Sequence, residues 1–127
     1  MDSAQAEQFA AQWAQDWNNH DIDALLSHFS DDVVWTSPVA AQVVEGSGGV
    51  LQGKAALRAY YGEGLRRTPD LRFDVVGVYQ GTNTLVINYR NQRGALVNEV
   101  LSLDHAGLVR EGHGTYLGQG ASSATGQ

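Results

Sequence analysis

Between Leu71 and Tyr116 apolar side chains recur at alternate positions, and three turn segments divide the run into four pieces. A period of two belongs to strands, so the second half of the chain is predicted to fold as an antiparallel meander. The turns are Gly81-Thr82-Asn83, Asn91-Gln92-Arg93-Gly94 and Asp104-His105-Ala106-Gly107. Glycine and asparagine tolerate left-handed backbone there, and aspartate bonds the amides that follow it. In the first strand Leu71, Phe73 and Val75 share a side, whereas Val76 and Val78 carry the alternation onward. A change of face near Gly77 is the mark of a bulge in a bent sheet.

Ahead of the meander the period is helical. Ala6, Phe9, Ala10, Trp13 and Trp17 predict an amphipathic helix of about four turns with both tryptophans on its buried face. Asp21 is placed to cap a second, shorter helix carrying Ile22, Leu25, Leu26 and Phe29, which Ser30-Asp31-Asp32 is expected to end. Val33-Val34-Trp35-Thr36 reads as a short strand stopped by Ser37-Pro38. From Val39 to Gly53, valines mixed with Gly46, Ser47, Gly48 and Gly49 predict a loop or loose hairpin, a candidate lid. A third helix is expected from Lys54 to Arg67, with Leu57, Tyr60, Tyr61 and Leu65 on one stripe and Pro69 past its end.

Bulk properties remove several function classes. The 127 residues suffice for one domain, expected over 1–117, with 118–127 a flexible tail of small and polar residues. With 14 acidic against 8 basic residues the net charge is −6 and no like-charge run occurs, which gives no footprint for nucleic acid or an anionic membrane. The absence of cysteine excludes disulfides, thiolate metal sites and a cysteine nucleophile. The first twenty residues show neither a basic start nor an unbroken apolar run, so no signal peptide or membrane span is expected, and a cytoplasmic location fits. His20, His28, His105 and His113 lack close ligand spacing, so no metal and no other cofactor is expected.

The order helix, short helix, strand, loop, helix and four-stranded meander resembles the nuclear transport factor 2-like superfamily. The Trp17-Asn18-x-His20-Asp21 corner, the Ser37-Pro38 strand end, the Gly53-Lys54 helix start and the Glu99-to-Gly107 hairpin resemble its polyketide-cyclase-like (SnoaL-like) and ketosteroid-isomerase-like branch. The likeness runs from about Ala6 to Leu117. It implies an α+β fold in which a cone-shaped, curved antiparallel sheet wraps the N-terminal helices and encloses one pocket. It also implies a homodimer through the outer sheet face. The superfamily hosts unrelated activities on one scaffold, so a reaction has to be read from individual residues.

In ketosteroid isomerases an aspartate base moves a proton while a tyrosine and a protonated aspartic acid stabilise the enolate. By the resemblance the base falls on Ser37, which takes no proton from carbon at neutral pH, and the helix tyrosine falls on Trp13, still an N–H donor. The protonated acid falls on Glu99, and Tyr61 corresponds to a tyrosine of the hydrogen-bond network. The residues point to Glu99 independently. Val97, Leu101 and Leu103 form the apolar face of their strand, and alternation puts Glu99 on it. An inward carboxyl has a pKa raised by desolvation or lowered by a cation such as Arg90 or Arg110, and such groups cluster at functional sites. His113, between Gly112 and Gly114 on the adjoining strand, either turns inward as a carboxylate-oriented acid or base, or faces solvent.

Seven aromatic side chains, Trp13, Trp17, Phe29, Trp35, Tyr60, Tyr61 and Phe73, fall on converging faces, and so many rings are hard to pack without a void. Trp17, Phe29 and Phe73 read chiefly as core, while Trp13, Trp35 and Tyr61 match cavity-facing places in the relatives. Tyr89 shares a face with Leu85 and Ile87. The expected site therefore has Glu99 and His113 as catalytic groups, with Trp13, Trp17, Trp35, Ser37, Tyr60, Tyr61 and Tyr89 around a small apolar or aromatic molecule. Three functions fit: a cofactor-independent isomerase, cyclase or hydratase-type lyase, a non-catalytic binding module, or a domain that dimerises through residues such as Tyr79.

Overall fold

A computed structural model of the protein describes residues 1–118, so the expected tail lies outside the described residues apart from Gly118. Helix α1 (Ser3–Asn18) opens with a reciprocal cap: the Gln5 N–H donates to Asp2 Oδ1 and the Asp2 N–H to Gln5 Oε1, each at 2.8 Å. Its buried face includes Ala6, Ala10, Trp13 and Trp17, as the helical period predicts. At its end Asn18 reaches far along the chain, donating Nδ2–H to the Phe73 carbonyl (2.9 Å) and accepting the Phe73 N–H (2.7 Å). His20 adopts a left-handed φ of 56°, with Nε2 3.1 Å from the Leu71 carbonyl. The corner after Trp17 is thus a clasp that fixes α1 against the segment leading into the meander. Asp21 caps α2 (Ile22–Leu26) by accepting from the Ala24 N–H at 3.0 Å.

Two expectations change in the next stretch. Strand β1 (Phe29–Thr36) begins four residues earlier than its β-branched run, and Ser30-Asp31-Asp32 belongs to it instead of ending α2. Pairing with a distant strand at Phe29↔Val109 overrides the local turn propensity, while Asp31 and Asp32 stay exposed and a register shift before Val34 absorbs the irregularity. The predicted loop from Val39 to Gly53 holds a helix and a strand. Ser37 acts as N-cap of α3 (Pro38–Val43), its Oγ accepting from the Val39 N–H at 3.1 Å with proline at the first helical turn. Strand β2 (Val50–Gln52) then pairs antiparallel with β1, and α4 (Lys54–Arg67) follows at the predicted boundaries.

The four-stranded meander forms, as β3 (Asp74–Gly81), β4 (Thr84–Arg90), β5 (Leu96–Leu103) and β6 (Val109–Tyr116), but its first strand starts later than predicted: Leu71 and Phe73 are buried ahead of β3, whereas Val75 is exposed. The bulge near Gly77 is present, since Val75 faces Tyr89 and Gly77 faces Asn88, which leaves Val76 unpaired and 58% exposed. Sheet order is β2-β1-β6-β5-β4-β3, antiparallel at every junction except the parallel β1–β6 pair. The sheet is curved and unclosed, with α1 packed against β3 and α4 against β1, in the manner of the nuclear transport factor 2-like cone. Among the described residues no helix is long and apolar enough to cross a membrane.

Candidate functional site

Alternation along β5 turns Val97, Glu99, Leu101 and Leu103 inward, and all four are buried. On the facing strands Ile87 and Gly114 are the register partners of Glu99. Tyr89, two residues along β4 on the same face, donates its hydroxyl to Glu99 Oε1 at 2.7 Å, while Oε2 finds no partner among the described residues. Burial pushes the Glu99 carboxyl up from 4.5 to about 7, and the Tyr89 hydrogen bond limits the rise by favouring the carboxylate. Neither expected cation is present at the acid: Arg90 donates to the Gly94 carbonyl, and Arg110 is exposed.

Glu99 lines a narrow hollow together with Trp17, Trp35, Ser37, Tyr60, Tyr61, Gly114 and Tyr116. Four phenols surround the acid. Burial raises Tyr60 to about 12 and pushes Tyr61, Tyr89 and Tyr116 well above the ordinary phenol value, each with an added rise from the Glu99 charge. All four therefore stay protonated near neutrality and act as hydrogen-bond donors. Ser37, besides capping α3, lies beside Tyr60 and Tyr116 on the same hollow, which brings the end of β1 to the site. The Tyr61 hydroxyl is buried and, like Glu99 Oε2, has no partner among the described residues.

The aromatic rings converge as predicted, but they pack better than predicted. Trp17 meets Tyr61 edge-on at 4.7 Å between centroids, Trp35 meets Tyr61 at 5.7 Å, and Phe73 lies 4.4 Å from Tyr89. What remains open to the centre of a water-sized sphere is about 10 Å³, room for roughly one water and not for a small apolar molecule. Trp13 is a second correction. It stacks on Phe73 at 5.6 Å and meets Tyr89 edge-on at 5.1 Å, so it backs the tyrosine that holds Glu99 and does not line the hollow. Trp17, read chiefly as core but also placed at the expected site, does line the hollow. Tyr89 contributes through Glu99 and not as a wall.

His113 is the third correction. Leu103 pairs with Val109, a pairing that would bring His113 opposite Glu99 if it continued unbroken. A bulge intervenes, so that Ser102 faces Glu111 and Glu99 faces Gly114. The extra residue on β6 turns Gly112, Gly114 and Tyr116 inward and His113 outward. Gly114 and Tyr116 are thus site residues that the sequence did not single out. The signal available for them was the chain of small residues Gly112-x-Gly114, which marks close approach to β6. A Cβ at Gly112 would run into the six-membered ring of Trp35, and one at Gly114 would stand 3.6 Å from the Ser37 hydroxyl.

A cone of this topology closing on one buried acid and its phenols defines an α+β fold of the nuclear transport factor 2-like class. Residues 10–113 match the SnoaL-like domain, and the chain belongs to that family. A SnoaL-like protein of unknown function from Burkholderia thailandensis E264 is 36% identical, with a TM-score of 0.87 over 92% of this chain and 98% of that one. Bal32a, from a soil-derived mobile gene cassette, shares the fold at 17% identity and a TM-score of 0.79 over 98% of both chains. TerC, solved with polyporic acid, shares it at 15% identity and a TM-score of 0.72 over 88% of this chain and 91% of that one. No curated protein matches the chain.

Proposed function

We propose that the protein binds a small, largely apolar molecule bearing a carbonyl or hydroxyl group and moves a proton on it with Glu99, as an isomerase, cyclase or hydratase-type enzyme without a cofactor. One observation carries the reading: a buried carboxyl pushed up to about 7 whose second oxygen, like the Tyr61 hydroxyl on the same hollow, has no partner among the described residues. An acid poised at the working pH gives and takes protons equally well, and neutral phenols supply donors for a developing oxyanion. The hollow of about 10 Å³ takes one polar group of such a ligand, and the rest enters when the rings that line it move apart. The co-crystallised relative TerC supports a ligand-binding role for the cone.

The direct test is solvent deuterium exchange into β-tetralone, whose α C–H is acidic. In the wild type the Glu99 carboxylate takes the α proton, Tyr61 donates to the enolate oxygen, and a deuteron returns to carbon. Exchange is expected to fall by about 10²–10⁴ in Glu99→Gln, the usual contribution of a positioned acid or base. Equal rates in the two proteins overturn the reading. A second reading, a non-catalytic module that dimerises through the outer sheet face, is favoured by the smallness of the hollow and by Tyr79, 64% exposed on the sheet.

A further inference from the structure

Turned out of the hollow, His113 stands in a different constellation. Thr36 and His113 are register partners across the parallel β1–β6 junction, and Thr36 Oγ1 lies 2.6 Å from His113 Nδ1. The other ring nitrogen, Nε2, lies 2.7 Å from Glu111 Oε2. A carboxylate only accepts, so Nε2 carries the ring proton, and Nδ1 is left as the acceptor for the Thr36 hydroxyl. Hydroxyl, imidazole and carboxylate therefore stand in series, the arrangement that activates a hydroxyl as a nucleophile whatever the fold.

Space for a reactant adjoins it. Thr36 lines a surface depression of about 220 Å³ whose apolar walls are Pro38, Ala41 and Val50 and whose rim is the backbone of Gly48 and Gly49. The Gly49 carbonyl accepts from the Ser37 N–H at 3.0 Å, and a Cβ on Gly49 would stand only 3.0 Å from the Ser37 carbonyl, so glycine is what lets this loop lie against the end of β1. Among the described residues the neighbouring Gly48 N–H makes no backbone hydrogen bond, which leaves a donor on the lining of the depression for a developing oxyanion.

We propose that Thr36, His113 and Glu111 form a second reactive site, separate from the Glu99 hollow, that takes short-chain carboxylic esters. Thr36 Oγ1 forms the new bond to the acyl carbon while its proton passes to His113 Nδ1. The ester C–O bond breaks, and the departing alcohol oxygen takes that proton. Water then attacks the threonine ester, giving one proton through His113 back to Thr36 Oγ1, and the acyl group leaves as a carboxylic acid. Glu111 is the positioning residue, fixing the imidazole tautomer.

The test uses the full chain and 4-nitrophenyl acetate. The wild type is expected to release 4-nitrophenol faster than buffer and, when quenched early, to carry one acetyl group on the peptide containing Thr36. Thr36→Val and His113→Phe are expected to lose about 10²-fold or more of the rate. Thr36→Ser keeps the hydroxyl and should retain hydrolysis, which guards against a folding defect in the valine variant. Glu111→Gln should lower kcat with little change in KM, a split that a purely structural contact would not give. His105→Phe, at an exposed turn, should match the wild type. Acetylation elsewhere than Thr36, a Thr36→Val variant as fast as the wild type, or hydrolysis no faster than buffer would each overturn the proposal.

Discussion

Strands β5 and β6 show how the two faces of one sheet treat similar groups. On the inner face Glu99 is 4% exposed, accepts from the neutral Tyr89 hydroxyl and has its carboxyl pushed up to about 7 by burial. On the outer face Glu111 sits 2.7 Å from His113, with their side chains 43% and 33% exposed. The same kind of carboxyl is costly to ionise on one side and well hydrated on the other, because desolvation falls on the charged form. One bulged residue decides which of these surroundings the histidine joins.

The largest way to test this contrast is Glu99→Gln. The folded-state pKa of about 7 exceeds the ordinary 4.5, so the stability this group contributes is fully present below pH 4.5 and is lost as pH rises through 7. A neutral glutamine keeps an acceptor for Tyr89 and never ionises. The variant should therefore match the wild type near pH 4 and exceed it by about 3 kcal/mol above pH 8, because a tenfold change in proton affinity between the folded and unfolded chain is worth about 1.36 kcal/mol. Urea melts across that window measure it. A constant difference at all pH values would show that Glu99 is not desolvated.

Next comes the packing that keeps the inner face closed. Gly112→Ala places a methyl inside the ring of Trp35 with Leu101 at 3.1 Å, and should cost about 2–3 kcal/mol in thermal or urea melts. Gly114→Ala meets Ser37 at an ordinary 3.6 Å and should cost less than about 1 kcal/mol while occupying part of the hollow. Comparable losses in the two variants would mean that Trp35 is free to move, and that the hollow is wider than its packing indicates.

These residues also mark where the sequence was legible. The meander, its three turns, the bulge near Gly77, α1, the Asp21 cap and α4 follow from periodicity and turn chemistry, which are local. Glu99 was legible because four inward residues in a row need only the period of two. His113 was not, because its facing depends on a bulge between β5 and β6 that leaves no clear trace in Leu108-Val109-Arg110-Glu111. Ser37-Pro38 was read as a strand stop although it is equally the N-cap and first turn of a helix, which is what α3 uses. The size of the hollow was illegible for another reason: converging rings can jam or interlock, and only their interplanar angles decide.

A smaller effect is expected at Tyr89. Tyr89→Phe deletes the donor to Glu99 Oε1 and leaves that oxygen buried without a protein partner. The hydrogen bond favours the charged carboxylate, so its loss should raise the Glu99 midpoint above 7. Stability should fall by about 1 kcal/mol, the usual net worth of one hydrogen bond. Carbon-detected titration of the glutamate carboxyls reads the change directly. A midpoint that falls or stays put would mean that Tyr89 is not what holds the acid in place.

His113→Ala should do least to the fold. Its two hydrogen bonds, to Thr36 and Glu111, are partly open to water, and such contacts contribute about 0.5 kcal/mol. The informative measurement is made on the other face. Val100 is the register partner of His113, and Glu99 next to it points the opposite way, so the sheet itself separates the imidazole from the buried acid. The Glu99 midpoint should therefore stay where it is when the histidine is removed. A displacement of more than about half a pH unit would mean that charge on the outer face reaches the hollow through the sheet, and the division between the two faces would fail as an account of what the acid senses.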